Sequence, residues 1–214
     1  MKFHGYFRSS ASYRLRIALA LKNIPHEQAS VHLSRGGGEQ FAPAFRKLNP
    51  QMLVPVVEDD GQVLTQSLAI LEYLDEKWPT PPILPKTPAE RARVRALALV
   101  MACEMHPLNN LRVLNYLTKD LGLSEEAKLT WYRHWIALGF QALEGMLADH
   151  PETGRFCHGD TPTIADICLV PQVFNAKRFD CPMQGYPTVM RIYEGCEKLP
   201  AFAGAHPSRQ PDAE

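Results

Sequence analysis

The sequence predicts an α/β domain followed by an all-helical one. Three observations carry this. Apolar strand-like runs and amphipathic stretches alternate over residues 1–78, and five prolines crowd Pro79–Pro88 (PTPPILPKTP). From Ala89 to about Gln141 the pattern turns almost wholly helical, and a further helix begins at Thr163. The expected organisation is therefore a first domain at 1–78, a stiff proline-rich linker at 79–88 and a helical domain at 89–214.

The elements follow in order. Lys2–Tyr6 is a short strand, and Ser10–Lys22 (SASYRLRIALALK) is a helix with a stripe of Leu15, Ile17, Ala18, Leu19 and Leu21, opened by serines that can cap it. Asn23-Ile24-Pro25 stops that helix, and His26–His32 reads as a second strand. Arg35–Gly38 is a glycine-rich turn, followed by a short helical piece to Lys47. Leu53–Glu58 and Gln62–Thr65 flank Asp59-Asp60-Gly61, a hairpin signal. Ser67–Trp78 is an amphipathic helix with Ser67 as its expected N-cap. The order is βαβ followed by ββα. In the second half, breaks fall at Met105-His106-Pro107 and near Gly122, and 154–163 is a loop. Thr163-Ile164-Ala165-Asp166 has capping-box form, with Asp in place of Glu or Gln. Residues 207–214 are expected to be a surface tail.

Composition narrows the function. With 214 residues, 23 Lys+Arg against 23 Asp+Glu and 45% hydrophobic residues, the chain can build a core but has no net charge. Neutrality argues against a general nucleic-acid binder, which needs a basic face. No apolar run approaches a membrane span, and the N-terminus lacks the apolar stretch of a secretion signal. The chain reads as a soluble, cytoplasmic protein without nucleic-acid or membrane partners. Its five cysteines, Cys103, Cys157, Cys168, Cys181 and Cys196, are odd in number and lack C-x-x-C spacing. Neither a disulfide framework nor a metal site is expected, and the thiols read as buried or half-buried and reduced.

A βαβ-ββα unit with Leu53-Val54-Pro55 ahead of the hairpin has the thioredoxin-like layout. There a cis Val54–Pro55 bond, or a plain turn proline, are the two alternatives. The whole chain resembles the zeta class of glutathione transferases, the family containing maleylacetoacetate and maleylpyruvate isomerases. The resemblance is carried by Tyr6-Phe7-Arg8-Ser9-Ser10-Ala11-Ser12-Tyr13-Arg14-Leu15-Arg16-Ile17-Ala18-Leu19, Leu48-Asn49-Pro50-Gln51, Val54-Pro55 and Gln66-Ser67-Leu68-Ala69-Ile70. In the second half it is carried by Gly159-Asp160, Thr163 to Asp166, Leu169-Val170-Pro171-Gln172-Val173, Asn175-Ala176-Lys177-Arg178-Phe179 and His206 to Asp212. One position departs from the family's Ser-Ser-Cys-x-x-Arg motif. Ala11 stands where the cysteine would be, which excludes a covalent role for a protein sulfur there.

What the resemblance implies is a glutathione transferase fold, a homodimer, and glutathione as cofactor in a cis–trans isomerisation of a small diacid. The implied substrate is maleylacetoacetate, with maleylpyruvate as the close alternative. Conjugation or dehalogenation of small α-halo acids is a further enzymatic alternative, and a non-catalytic glutathione-binding scaffold a non-enzymatic one. The thiolate is expected beside Ser9, with Ser10 and Ala11 nearby and Arg8 adjoining. A helix N-terminus with hydroxyls suits an anion there, against the plainer reading of these serines as caps only. Val54 is expected to pair with the peptide backbone of glutathione, and Gln66 and Ser67 to hold the γ-glutamyl end. Gln40 is the candidate at the glycyl end, against an ordinary exposed polar role. Arg178 matches the family's substrate-carboxylate arginine. His106, Asn110 and Arg112, in His106-Pro107-Leu108-Asn109-Asn110-Leu111-Arg112, match a segment of bacterial isomerases of this family that serves the glutathione and substrate sites. Arg14 and Arg16 read as structural ion-pair partners within the first helix, Arg14 the nearer to the site.

Overall fold

The computed structural model describes residues 1–214. It divides into two compact units, Met1–Ile83 together with Leu199–Glu214, and Leu84–Lys198.

The first unit opens with β1 (Lys2–Gly5), α1 (Ser10–Leu21) and β2 (Glu27–Ser30). After 3-10 turns at Arg35–Gly37 and Glu39–Phe41 come α2 (Pro43–Leu48), β3 (Val56–Asp59), β4 (Gln62–Thr65) and α3 (Ser67–Lys77). The sheet has the order β2-β1-β3-β4, with β1 parallel to β2 and antiparallel to β3. The β3–β4 turn places Asp60 at φ 47° and Gly61 at φ 77°. Two left-handed residues suit the right-handed twist of a tight hairpin, so the Asp-Gly pair fixes the register. Phe3, Leu15, Ile17, Val56, Val57, Ile70, Leu71 and Leu74 fill the core of this unit.

The second unit is helical: α4 (Pro88–Leu99), α5 (Leu111–Asn115), α6 (Glu125–Leu147), α7 (Ile164–Arg178) and α8 (Pro187–Glu197). α7 is its axis, buried from Ile164 through Val173. The Asp166 carboxylate starts it by accepting from Thr163 N–H at 2.8 Å, from the Thr163 hydroxyl at 2.9 Å and from Cys157 N–H at 2.7 Å. Burial raises the Asp166 pKa, and these bonds oppose the rise. Two π-helical stretches, Val100–Met105 and Tyr116–Asp120, flank the break at Pro107. The first of them lies close against α6: a side chain on Gly139 would come within 2.3 Å of Met105, so the two segments approach closely only because Gly139 has none.

Two expectations change here and a third is extended. The C-terminal residues are not a loose tail on the helical domain but part of the first unit. There α9 (Pro200–Ala205) packs on α1, and Asp212 accepts from Phe7 N–H at 3.1 Å and from the Ser30 hydroxyl at 2.9 Å. The proline-rich segment, expected as a stiff linker, is also anchored at its start: Ile83 and Leu84 are buried, and Lys22 Nζ donates to Asp75, Trp78 O and Pro81 O. Cys103 is exposed, whereas the other four cysteines are buried; none is paired.

Candidate active site

Strand register builds the site. His4 pairs with Val56 and Val56 with Thr65, so the C-terminal ends of β1 and β4 and the N-terminal end of β3 share one end of the sheet. The segments leaving or entering there are Tyr6–Ser10, Val54–Pro55 and Gln66–Ser67. A buried cluster of Tyr6, Phe7, Val31, Phe45, Val54 and Val56 underlies that end.

The β1–α1 turn is held from several sides. Ser9 N–H donates to Tyr6 O at 3.0 Å, and Ser12 Oγ accepts from Tyr6 N–H at 3.3 Å. Arg16 donates to Phe7 O at 2.9 Å, to Tyr6 O at 3.4 Å and to Ala205 O at 3.0 Å. Phe7 is thus fixed through its N–H by Asp212 and through its carbonyl by Arg16. Burial pushes Arg16 down to about 10, with Tyr13 and Asp212 opposing. Arg16 is therefore no ion-pair partner of the kind expected, but a strut that satisfies buried carbonyls.

Ser9 is the N-cap of α1, its Oγ accepting from Ser12 N–H at 3.2 Å. Capping uses the oxygen and leaves the hydroxyl proton to donate, so cap and anion donor are compatible roles for one side chain. Ser10 and Ala11 follow as the first two helical residues, where backbone N–H groups lack an intrahelical acceptor and favour negative charge. Arg8 is exposed, and its Nε and Nη2 donate to the Tyr6 hydroxyl at 3.2 and 2.9 Å.

The opposite wall comes from the loop before β3 and the start of α3. The Val54–Pro55 bond is cis. Neither Val54 N–H nor its C=O has a backbone partner. Asn49 shapes the loop: its Nδ2 donates to Leu53 O at 2.7 Å, and its Oδ1 accepts from Gln51 N–H at 3.0 Å. Gln66 caps α3 with φ 67° and ψ 111°, and its amide donates to Gln51 Oε1 at 2.8 Å. Such a backbone costs a non-glycine residue about 1–3 kcal/mol, a strain typical of ligand clamps. Ser67, expected as the cap, is the first helical residue instead, buried, with its Oγ accepting from Arg14 Nη1 at 3.1 Å. Gln40 is not an exposed polar residue: it is 6% exposed, donates to Leu33 O at 3.3 Å and fills the space a Gly38 side chain would need.

The remaining candidates lie in the second unit. His106 is half-buried, 3.4 Å from Asn110 Nδ2, and Asn110 caps α5 by accepting from Arg112 N–H at 3.1 Å. Trp131 donates to Leu108 O and Asn109 to Tyr132 O, which ties this segment to α6. The Tyr132 ring stacks on Phe179 at 4.0 Å, and the Arg178 guanidinium lies 4.7 Å from the Phe179 ring. Burial pushes the Tyr132 phenol up, with Arg178 opposing. Arg178 and Arg112 are exposed. Asn49, Gln51, Arg16 and Asp212 were not among the sequence candidates. Asn49 and Gln51 stood within a motif, but their partners are set by the tertiary fold.

A sheet end that offers a helix-capping hydroxyl, an unpaired backbone segment at Val54 and a second helix N-terminus suits an anionic, thiol-bearing peptide. Comparison with known proteins agrees. Residues 8–77 match the profile of the glutathione S-transferase N-terminal domain and residues 131–195 that of its C-terminal domain. The chain belongs to the glutathione S-transferase family. Within it, the chain is similar to zeta-class members. A Vibrio cholerae protein named probable maleylacetoacetate isomerase is 53% identical over 98% of this chain and 97% of its own. The holo structure of a maleyl pyruvate isomerase, described as a bacterial glutathione transferase of the zeta class, superposes with a TM-score of 0.97. It is 47% identical, with all of both chains covered. The maleylacetoacetate isomerase of Methylobacterium extorquens AM1, solved with malonate and glutathione bound, gives a TM-score of 0.96 at 44% identity, again over all of both chains.

Proposed function

We propose that this protein is a glutathione-dependent cis–trans isomerase that converts maleylacetoacetate to fumarylacetoacetate. The observation that carries it is the convergence of the Ser9 cap, the unpaired Val54 backbone and the strained Gln66-Ser67 helix start on one sheet end. Bound there, glutathione supplies a thiolate that adds to the activated double bond, allows rotation, and is released unchanged on elimination.

This chain's residues do the rest. The Ser9 hydroxyl donates to the sulfur anion, and the first turn of α1, with Ser10 and Ala11, favours its charge. Val54 pairs with the cysteinyl backbone, and Gln66 and Ser67 receive the γ-glutamyl end. Arg8, His106, Asn110, Arg112 and Arg178 are the groups proposed to orient the diacid and to offset enolate charge as it grows. Gln40, buried with one amide bond already made, is assigned the glycyl end through its remaining N–H. The isomerase is a cytoplasmic homodimer in this reading. Glutathione chemistry suits a reducing compartment, and exposed Phe41, Leu99, Leu111 and Tyr116 offer apolar surface for a second subunit.

Maleylpyruvate is the second reading, favoured by the near-complete superposition on an isomerase of that substrate. The two share a maleyl-ketone head, so the test offers both. Ultraviolet absorbance of each is followed with and without glutathione. Loss of signal only with glutathione upholds the isomerase, the faster substrate names it, and no change with either refutes it.

A further inference from the structure

The first unit contains one buried cation that its own chain leaves uncompensated. Arg14 is 2% exposed, and its hydrogen bond within the chain is Nη1 to Ser67 Oγ at 3.1 Å. Its Nε and Nη2 have no acceptor. The neighbouring buried cations are treated differently. Arg16 is spread over three carbonyls, and Lys22 pairs with Asp75 at 2.8 Å and with two carbonyls. A buried charge without such partners costs several kcal/mol, so a fold retains one only where something repays it.

The direction of the one bond identifies the recipient. Ser67 Oγ accepts from the guanidinium, so the hydroxyl proton is turned to another acceptor, and a hydroxyl polarised by a cation donates more strongly. Ser67 is the first residue of the 11-residue α3, beside unpaired helical N–H groups and beside the strained Gln66. Hydroxyl, amides and a fixed positive charge behind them form a receptor for a carboxylate.

We infer that Arg14 is the positioning residue that gives this site its selectivity for the free α-carboxylate of the γ-glutamyl end of glutathione, acting through Ser67. The inference rests on the reading of this sheet end as a glutathione site. Arg14 does not touch the sulfur. It compensates the ligand's charge, and the ligand compensates it.

The test is calorimetric binding to the full-length protein. Two ligands are compared: glutathione, and its analogue with hydrogen in place of the γ-glutamyl α-carboxylate (4-aminobutyryl-cysteinyl-glycine). The wild type is expected to prefer glutathione by a factor on the order of 30, the size of one charge-assisted contact. Arg14→Met should bind the analogue as the wild type does and lose the preference. Its ligand-free melting temperature should not fall, because the removed charge had a neutral hydroxyl as its partner and no counter-charge, and the rise induced by glutathione should shrink. Equal weakening of both ligands, with the preference intact, would make Arg14 purely structural and overturn the inference. Should Arg14→Met fail to fold, Arg14→Gln decides: its amide keeps a donor for Ser67 but removes the charge, so the preference must drop with analogue affinity retained. An unchanged preference refutes it. Absence of any glutathione binding by the wild type would remove the underlying functional reading as well, which separates the two failures.

Discussion

Replacing Ser9 by alanine separates the two roles the structure gives this hydroxyl. As a cap it accepts from Ser12 N–H at 3.2 Å, and losing such a cap costs about 1 kcal/mol, a fall in melting temperature of roughly 2–4 °C at this chain length. As a donor to a thiolate it contributes about 1.5–3 kcal/mol, since the acceptor is charged. At 1.36 kcal/mol per pKa unit, that raises the bound thiol by about 1–2 units. The assay is the ultraviolet absorbance of the thiolate of bound glutathione, titrated against pH in wild type and Ser9→Ala, with a thermal melt of each. Turnover near neutral pH should fall about tenfold or more, and recover as pH is raised toward the new midpoint. An unshifted midpoint, or a melting temperature so low that unfolding explains the lost turnover, would refute the reasoning.

Three further outcomes are expected. Arg178→Ala should raise KM for the diacid by roughly tenfold or more while leaving glutathione affinity within about twofold, by calorimetry; equal loss of both would contradict the assignment. Asp212→Ala removes the acceptor for Phe7 N–H and Ser30, so it should cost about 1–3 kcal/mol in a denaturant melt and weaken glutathione binding, while Ser30→Ala should leave binding intact. Glu214 is held below the usual carboxylate range by Arg35 first and His32 next. Its contribution is therefore present above about pH 4.5 and lost as pH falls through its lower folded value, so acid should raise amide exchange over residues 32–38 in the wild type but not beyond that of Glu214→Gln.

Local signals were legible where local physics decides. The Asp60-Gly61 turn, the serine-opened α1 and the Thr163–Asp166 cap were all readable, because each depends on residues within a few positions. The zeta-class motifs pointed to the sheet end that the register assembles. What the sequence hid depends on distant partners. Ser67 reads as a cap until the positive φ of Gln66 shifts the helix start by one residue. Arg14 and Arg16 look alike on one helix, yet one finds three carbonyls and the other a single hydroxyl. Residues 207–214 are polar and proline-rich, like a tail, and only the fold brings Asp212 back to Phe7 across 205 positions. Cys103 sits in an apolar pattern, but the π-helical stretch that contains it rotates the pattern, and the thiol is exposed.

The central claim is that glutathione is a catalyst and is not consumed. Proton nuclear magnetic resonance of a maleyl-ketone substrate, with glutathione at a small fraction of its concentration, tests this directly. Complete conversion to the trans isomer, with all of the glutathione recovered unmodified, is the predicted result. Conversion that stops after one equivalent, with a stable thioether accumulating, would make the protein a conjugating transferase and contradict the account.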